Sequence, residues 1–135
     1  MYLLDTNIIS ETIKINPNPK VIAFLKGFDI SNFSLSVITL GEIRKGIEKL
    51  SDRSKKQKII QWLEVDLANL FYGRIINIDP EIADKWGYLL SLNNAPPIDC
   101  LIAASAIVRN HKLITRNIKD FKAIKGLEVI NPWEL

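Results

Sequence analysis

The stretch Met1-Tyr2-Leu3-Leu4-Asp5-Thr6-Asn7 decides the fold class. An apolar run of strand length ends on a carboxylate and a polar pair, and Ile8-Ile9 then opens a helical pattern. A strand handing over to a helix in this way begins an α/β unit. Two later stretches repeat the hand-over. Leu35-Ser36-Val37-Ile38 leads into a helix carrying Glu42, and Pro96-Pro97-Ile98 leads into a helix with Asp99 in its first turn. If the three segments are neighbours, the oxygens of Asp5, Glu42 and Asp99 make a hard-donor site suited to Mg²⁺ or Mn²⁺. Such a site points to metal-dependent hydrolysis of phosphodiesters.

The remaining pattern extends this reading. Phe33-Ser34-Leu35-Ser36 alternates at period two and predicts a second strand, with further strands over 74–78, 111–115 and 128–130. Helices are expected over 7–15 and 20–27. Leu40, Ile43, Ile47 and Leu50 form one helical stripe over 37–50, and Glu42 lies off it. A long helix is expected over 55–72, with Ile59, Leu63, Leu67 and Leu70 facing inward. Asp79 and Pro80 are start signals for a helix running to Leu92. The helix over 98–109 is apolar nearly all round and is expected to be buried, and 117–121 reads as a short helical turn. Strands alternating with helices predict a central parallel sheet in a three-layer α/β/α sandwich. Ligands of such sheets bind beyond the carboxyl ends of the strands. Asp5 ends the first strand, and Asn117 lies just past the fourth.

A chain of 135 residues is expected to form one domain over 1–135. Its net charge is +3, with basic residues gathered in two groups. One runs from Arg44, Lys45 and Lys49 to Lys58, and the other from Arg109 and Arg116 to Lys125. Such surfaces attract polyphosphate backbones. The lone cysteine, Cys100, rules out a disulfide framework and points to a reducing compartment, the cytoplasm. Asp5 interrupts the apolar start after four residues, so no signal peptide is expected. No apolar run approaches the ~18 residues of a membrane span.

Each acid also has an ordinary reading. Asp5 is a good helix N-cap. Glu42 suits a solvated helix face beside Lys45 and Lys49. Asp99 sits where a helix dipole favours negative charge, although its neighbours Ile98, Cys100 and Leu101 are apolar. A phosphotransferase of the haloacid-dehalogenase type needs a second acid two positions after the first, and Asn7 stands there.

Four segments in order carry a family resemblance. Leu3-Leu4-Asp5-Thr6-Asn7-Ile8-Ile9-Ser10-Glu11 resembles the opening of PIN-domain ribonucleases, especially VapC-type toxins. Ser36-Val37-Ile38-Thr39-Leu40-Gly41-Glu42-Ile43-Arg44-Lys45-Gly46-Ile47 is similar to their second acidic segment, and Pro97-Ile98-Asp99-Cys100-Leu101-Ile102 to their third. Leu113-Ile114-Thr115-Arg116-Asn117-Ile118-Lys119-Asp120-Phe121 is similar to the fourth.

The resemblance implies strand order 3-2-1-4-5 and a divalent-metal endoribonuclease, the toxin of a type II toxin–antitoxin pair. It also implies a homodimer and a small DNA-binding antitoxin through which operator DNA is reached. Asp5, Glu42 and Asp99 match the family's metal-site acids. Asn117 stands where many members carry Asp and is still expected to offer its carbonyl oxygen to the metal, with Asp120 nearby to compensate the lost charge, so a permanently occupied second metal site is not implied. Asp5 and Asp99 are expected to bind Mg²⁺ or Mn²⁺, and Glu42 to orient or deprotonate the attacking water. Thr6 and Thr115 are candidates to position water or phosphate, and Arg44 and Arg116 to hold RNA phosphates. The competing reading is a catalytically silent α/β module that binds RNA or protein.

Overall fold

The computed structural model describes residues 1–135. Five parallel strands form one sheet: β1 (Tyr2–Leu4), β2 (Phe33–Ser36), β3 (Ile75–Ile76), β4 (Lys112–Ile114) and β5 (Val129–Ile130). Their order is β3-β2-β1-β4-β5, as expected. Strand β1 is central and pairs Leu3 with Ser34 on one side and Leu113 on the other. The Asp5 N–H continues the ladder by donating to the Ile114 carbonyl at 2.9 Å.

Successive strand residues face opposite sides of the sheet, so Leu3 and Leu4 enter different cores. Leu3 and Leu113 pack with α6 (Pro80–Leu92), α7 (Pro97–Val108) and α8 (Ile118–Phe121). Leu4, Leu35 and Ile114 pack with α1 (Thr6–Thr12), α2 (Pro19–Lys26), α3 (Val37–Glu48) and α4 (Arg53–Gln61). Helix α7 is buried without a break from Cys100 to Ala106. Small side chains at Ala103, Ala104 and Ala106 let it lie close under the sheet. No helix is long and apolar enough to cross a membrane.

Three local expectations are corrected. Helix α1 ends at Thr12, not at residue 15, because the Thr12 hydroxyl bonds back to the Ile9 carbonyl at 2.6 Å. The chain then folds back, and the Glu11 carboxylate accepts the Asn18 N–H at 2.8 Å. The long helix starts at Arg53, capped by Asp52, and changes to π geometry over Trp62–Leu67 before α5 (Ala68–Leu70). The wider π turn keeps a four-residue step in register, so Ile59, Leu63 and Leu67 are followed inward by Phe71. Leu70, expected inside, is 51% exposed, while Phe71 is 2% exposed. Strand β3 is also shorter than expected, two residues instead of five.

Candidate active site

Asp5 ends β1 and caps α1 in one stroke. Its extended backbone (ψ 160°) turns the side chain onto the helix start, where Oδ1 accepts the Thr6 N–H at 2.8 Å. Oδ2 accepts the Thr115 hydroxyl at 2.7 Å, from beyond the end of β4. The capping and site readings of Asp5 are therefore compatible. Only 8% exposed, Asp5 is raised above the usual carboxylate range, chiefly by burial. The bonds from Thr115 and Thr6 oppose that rise, and the Glu42 charge adds to it.

Thr115 is the hub of the junction. Besides donating to Asp5, its hydroxyl oxygen accepts from Asn7 Nδ2 at 3.3 Å and from the Asn117 N–H at 3.1 Å. Asn7 Oδ1 in turn accepts the Arg116 N–H at 3.3 Å. The loop after β4 is thus tied to the loop after β1, two strands that are neighbours in the sheet.

Glu42 stands on the exposed side of α3, off the Ile43–Ile47 stripe. Its Oε1 accepts the Thr6 hydroxyl at 2.6 Å, while Oε2 has no partner. Asp99 enters from the first turn of α7. Burial raises its carboxyl to about 6, helped by the charges of Asp120, Asp5 and Glu42 in that order. Asp5, Glu42 and Asp99 line one cleft, drawn together from the end of β1, the middle of α3 and the first turn of α7. No three carboxylate, imidazole or thiolate groups close on a common point, so the acids share this space without forming a finished cage.

The donor set suits a hard divalent cation. The acids offer oxygens only, and no thiolate or imidazole lines the cleft. Burial is the first cause of the rise at Asp99, and the repulsion from Asp120, Asp5 and Glu42 that adds to it is one that a cation would relieve.

The other expected residues divide. Thr6, Thr115 and Arg116 stand at the acids. Arg116 lies over the Trp133 ring, 5.0 Å from its centroid, and both line the cleft. Arg44 does not line the cleft and is paired with Glu48 at 3.1 Å and Glu64 at 3.4 Å. Asn117 gives the site its main-chain N–H, and its exposed side chain makes no hydrogen bond. Among the charges acting on Asp99, that of Asp120 is the largest.

Sequence reasoning missed five lining residues: Asn7, Ser10, Glu11, Lys14 and Trp133. Glu11 is 5% exposed and holds Lys14 Nζ at 2.9 Å. That bond, with the Asn18 N–H, keeps its carboxyl below the usual range. The signal was present, since an acid three residues before a lysine on a helix is a natural pair. Asn7 could have been inferred from the polar junction after β1. Nothing in the sequence places the Trp133 ring beneath Arg116.

Comparison with known proteins places this geometry. The PIN domain family matches residues 2–127. The chain is 34% identical to Toxin FitB of Neisseria gonorrhoeae, over 98% of this chain and 99% of that one. It is 30% identical to VapC ribonuclease Y4jK of Sinorhizobium fredii, over 99% of each. Among solved structures, FitAcB from Neisseria gonorrhoeae superposes with a TM-score of 0.93 at 34% identity, covering 100% of both chains. A toxin–antitoxin complex from Klebsiella pneumoniae superposes with a TM-score of 0.74 at 29% identity, again covering 100% of both chains.

Proposed function

The chain belongs to the PIN-domain family, and on that footing we propose that it is a metal-dependent endoribonuclease, the toxin of a toxin–antitoxin pair. One observation carries the reading: acids from three distant parts of the sequence line a single cleft at the carboxyl end of a parallel sheet. The named toxin and ribonuclease relatives support it over the full length. We read residues 1–135 as one domain, working in the cytoplasm as a homodimer.

Asp5 and Asp99 would hold the ion, Mg²⁺ or in its place Mn²⁺. Asp120 takes the fourth acidic position in preference to Asn117. When bound, the cation supplies charge stabilisation at the scissile phosphate. The protein's own groups do the rest. Thr115 and the Thr6 N–H fix both Asp5 oxygens before substrate arrives. Thr6 fixes Oε1 of Glu42, leaving Oε2 to take the proton of the attacking water. Arg116, braced on Trp133, grips the phosphate.

An apolar groove of about 420 Å³ adjoins the cleft, lined by Ile13, Ile43, Ile47, Leu50 and Ile59 together with Lys14 and Glu42. It suits the apolar face of an antitoxin helix. A basic side chain carried beside Glu42 would take the place of the cation's charge. The Klebsiella pneumoniae toxin–antitoxin complex supports such a partner. Operator DNA is then reached through the antitoxin.

The test is cleavage of total RNA with Mg²⁺, its arrest by EDTA, and sequencing of the products. Metal-dependent cleavage is expected to vanish in Asp5→Asn. Full activity in that variant would sink the assignment, and RNA binding without cleavage by the native protein would favour the silent module.

A further inference from the structure

A second groove leaves the acidic cleft along α3. It holds about 650 Å³ and shares Thr6 and Glu42 with the cleft, so the two spaces are continuous. Gly41 lies in its floor, and Lys45, Lys49 and Ile98 line its sides. The cations of this region divide sharply. Arg44 is engaged by Glu48 and Glu64, and Lys56 by Glu48 at 3.0 Å. Lys45 and Lys49 make no ion pair and no hydrogen bond, and both stand exposed in the groove. Gly41, Lys45 and Lys49 recur at four-residue steps and so share one helix face. Helical side chains lean toward the N-terminus, which tips both ammonium groups toward Glu42 and the acids.

Gly41 is unexplained by the fold. Glycine inside a helix is costly relative to alanine. Its φ is not positive, and an added Cβ would meet nothing within 4 Å. The space above it is free for something outside the chain. The neighbouring groove past Ile13 is apolar and suits a protein helix, whereas this one offers two unpaired cations beside a phosphodiester-cutting cleft.

We propose that this groove is the track along which single-stranded RNA runs from the cleft, its phosphates held by Lys45 and Lys49 and its backbone passing over Gly41. The inference rests on the reading that the cleft cuts RNA. From Gly41 to Lys49 the helix rises about 12 Å. At the stacked spacing of ~3.4 Å that length accommodates about three nucleotides.

The test measures binding of a short fluorescent single-stranded RNA to the whole protein in EDTA, across a salt series. Lys45→Ala/Lys49→Ala should flatten the slope of log K against log salt by about 1.4, the value for two lost phosphate contacts on a single strand. Lys20→Ala/Lys26→Ala removes the same charge from α2 and should leave the slope unchanged. Gly41→Leu should weaken binding several-fold with the slope unchanged. Its thermal melt should be equal to or above that of the native protein, because the change improves helix propensity and the added Cβ meets nothing within 4 Å on an exposed helix face. That pairing separates a blocked track from a damaged fold. An unchanged slope in the double lysine variant, together with native affinity in Gly41→Leu, would overturn the proposal. So would equal losses in the α2 control, or a changed oligomeric state in the groove variants with RNA affinity intact, which would give the face to a protein partner. If the native protein cuts RNA with Mg²⁺ while these variants bind normally, only the track fails. If the native protein neither binds nor cuts RNA, the nuclease reading fails with it.

Discussion

Helices α3 and α7 each carry one acid to the cleft, and they do so in opposite ways. Helix α7 is sunk in the core from Cys100 to Ala106, so Asp99 is held by the packing behind it and its charge is strongly disfavoured. Helix α3 buries only Thr39, Ile43 and Ile47, so Glu42 stands in solvent and relies on a single hydroxyl, that of Thr6, for its orientation. On the proposed mechanism, the comparison separates two tasks within one site. A carboxylate meant to meet a cation gains from burial, because desolvation sharpens its demand for positive charge. A carboxylate meant to take a proton from water gains from an accessible, unshared oxygen.

The largest expected effect tests the buried arm. Asp99→Asn should lower RNA cleavage by on the order of 10³-fold with Mg²⁺ present, while the melt of the metal-free protein holds or rises. Truncating the same helix in the core should do the reverse. Ile102→Ala, at a position 2% exposed, should cost about 3 kcal/mol in denaturant unfolding, with the folded fraction still active. Glu42→Gln should slow turnover about 10²-fold and shift the melt hardly at all. Equal losses of stability in Glu42→Gln and Ile102→Ala would erase the contrast between the two helices.

Two smaller effects sharpen the comparison. The folded protein keeps a proton on Asp99 up to about pH 6, above the ordinary aspartate value of 3.8, so the native state binds more protons than the unfolded chain in that window. Its contribution to stability therefore falls as pH rises from about 4 to 6. Asp99→Asn removes that dependence. The stability difference, variant minus native, should grow across the window by about 1–2 kcal/mol after allowance for solvent screening. Saturating Mg²⁺ should restore the native protein selectively. The smallest effect is that of Thr6→Val, which frees Oε1 of Glu42. A loss of ~1 kcal/mol, or about fivefold in turnover, is expected from steady-state rates.

Much of the fold was legible because local chemistry announces it. Strand β2 and helix α6 run where the alternation of Phe33–Ser36 and the Asp79-Pro80 start signal place them. Asp5 was legible because it ends a buried apolar strand, and Asp99 because it starts a buried apolar helix, whereas Glu42 stood out only by lying off its helix's apolar stripe. What escaped depends on contacts between distant parts. The π turn at Trp62–Leu67 is selected by packing against the second core, which local propensity does not encode. Arg44 has the right charge for phosphate, and its pair with Glu64, twenty residues away, is a contact that the local pattern does not show. The burial of Glu11 depends on the returning chain, which presents the Asn18 N–H to its carboxylate after the seven-residue α1.

The Thr115 hydroxyl that fastens Asp5 arrives 110 residues later in the chain, and Asp99 precedes it by only sixteen. During synthesis, therefore, the first carboxylate waits without its clasp until the fourth strand has left the ribosome and docked beside the first. The cleft is thus built from both ends of the polypeptide, and its Asp5–Thr115 contact cannot form on a partial chain. The sheet order, with the fourth strand beside the first, sets when that contact can close.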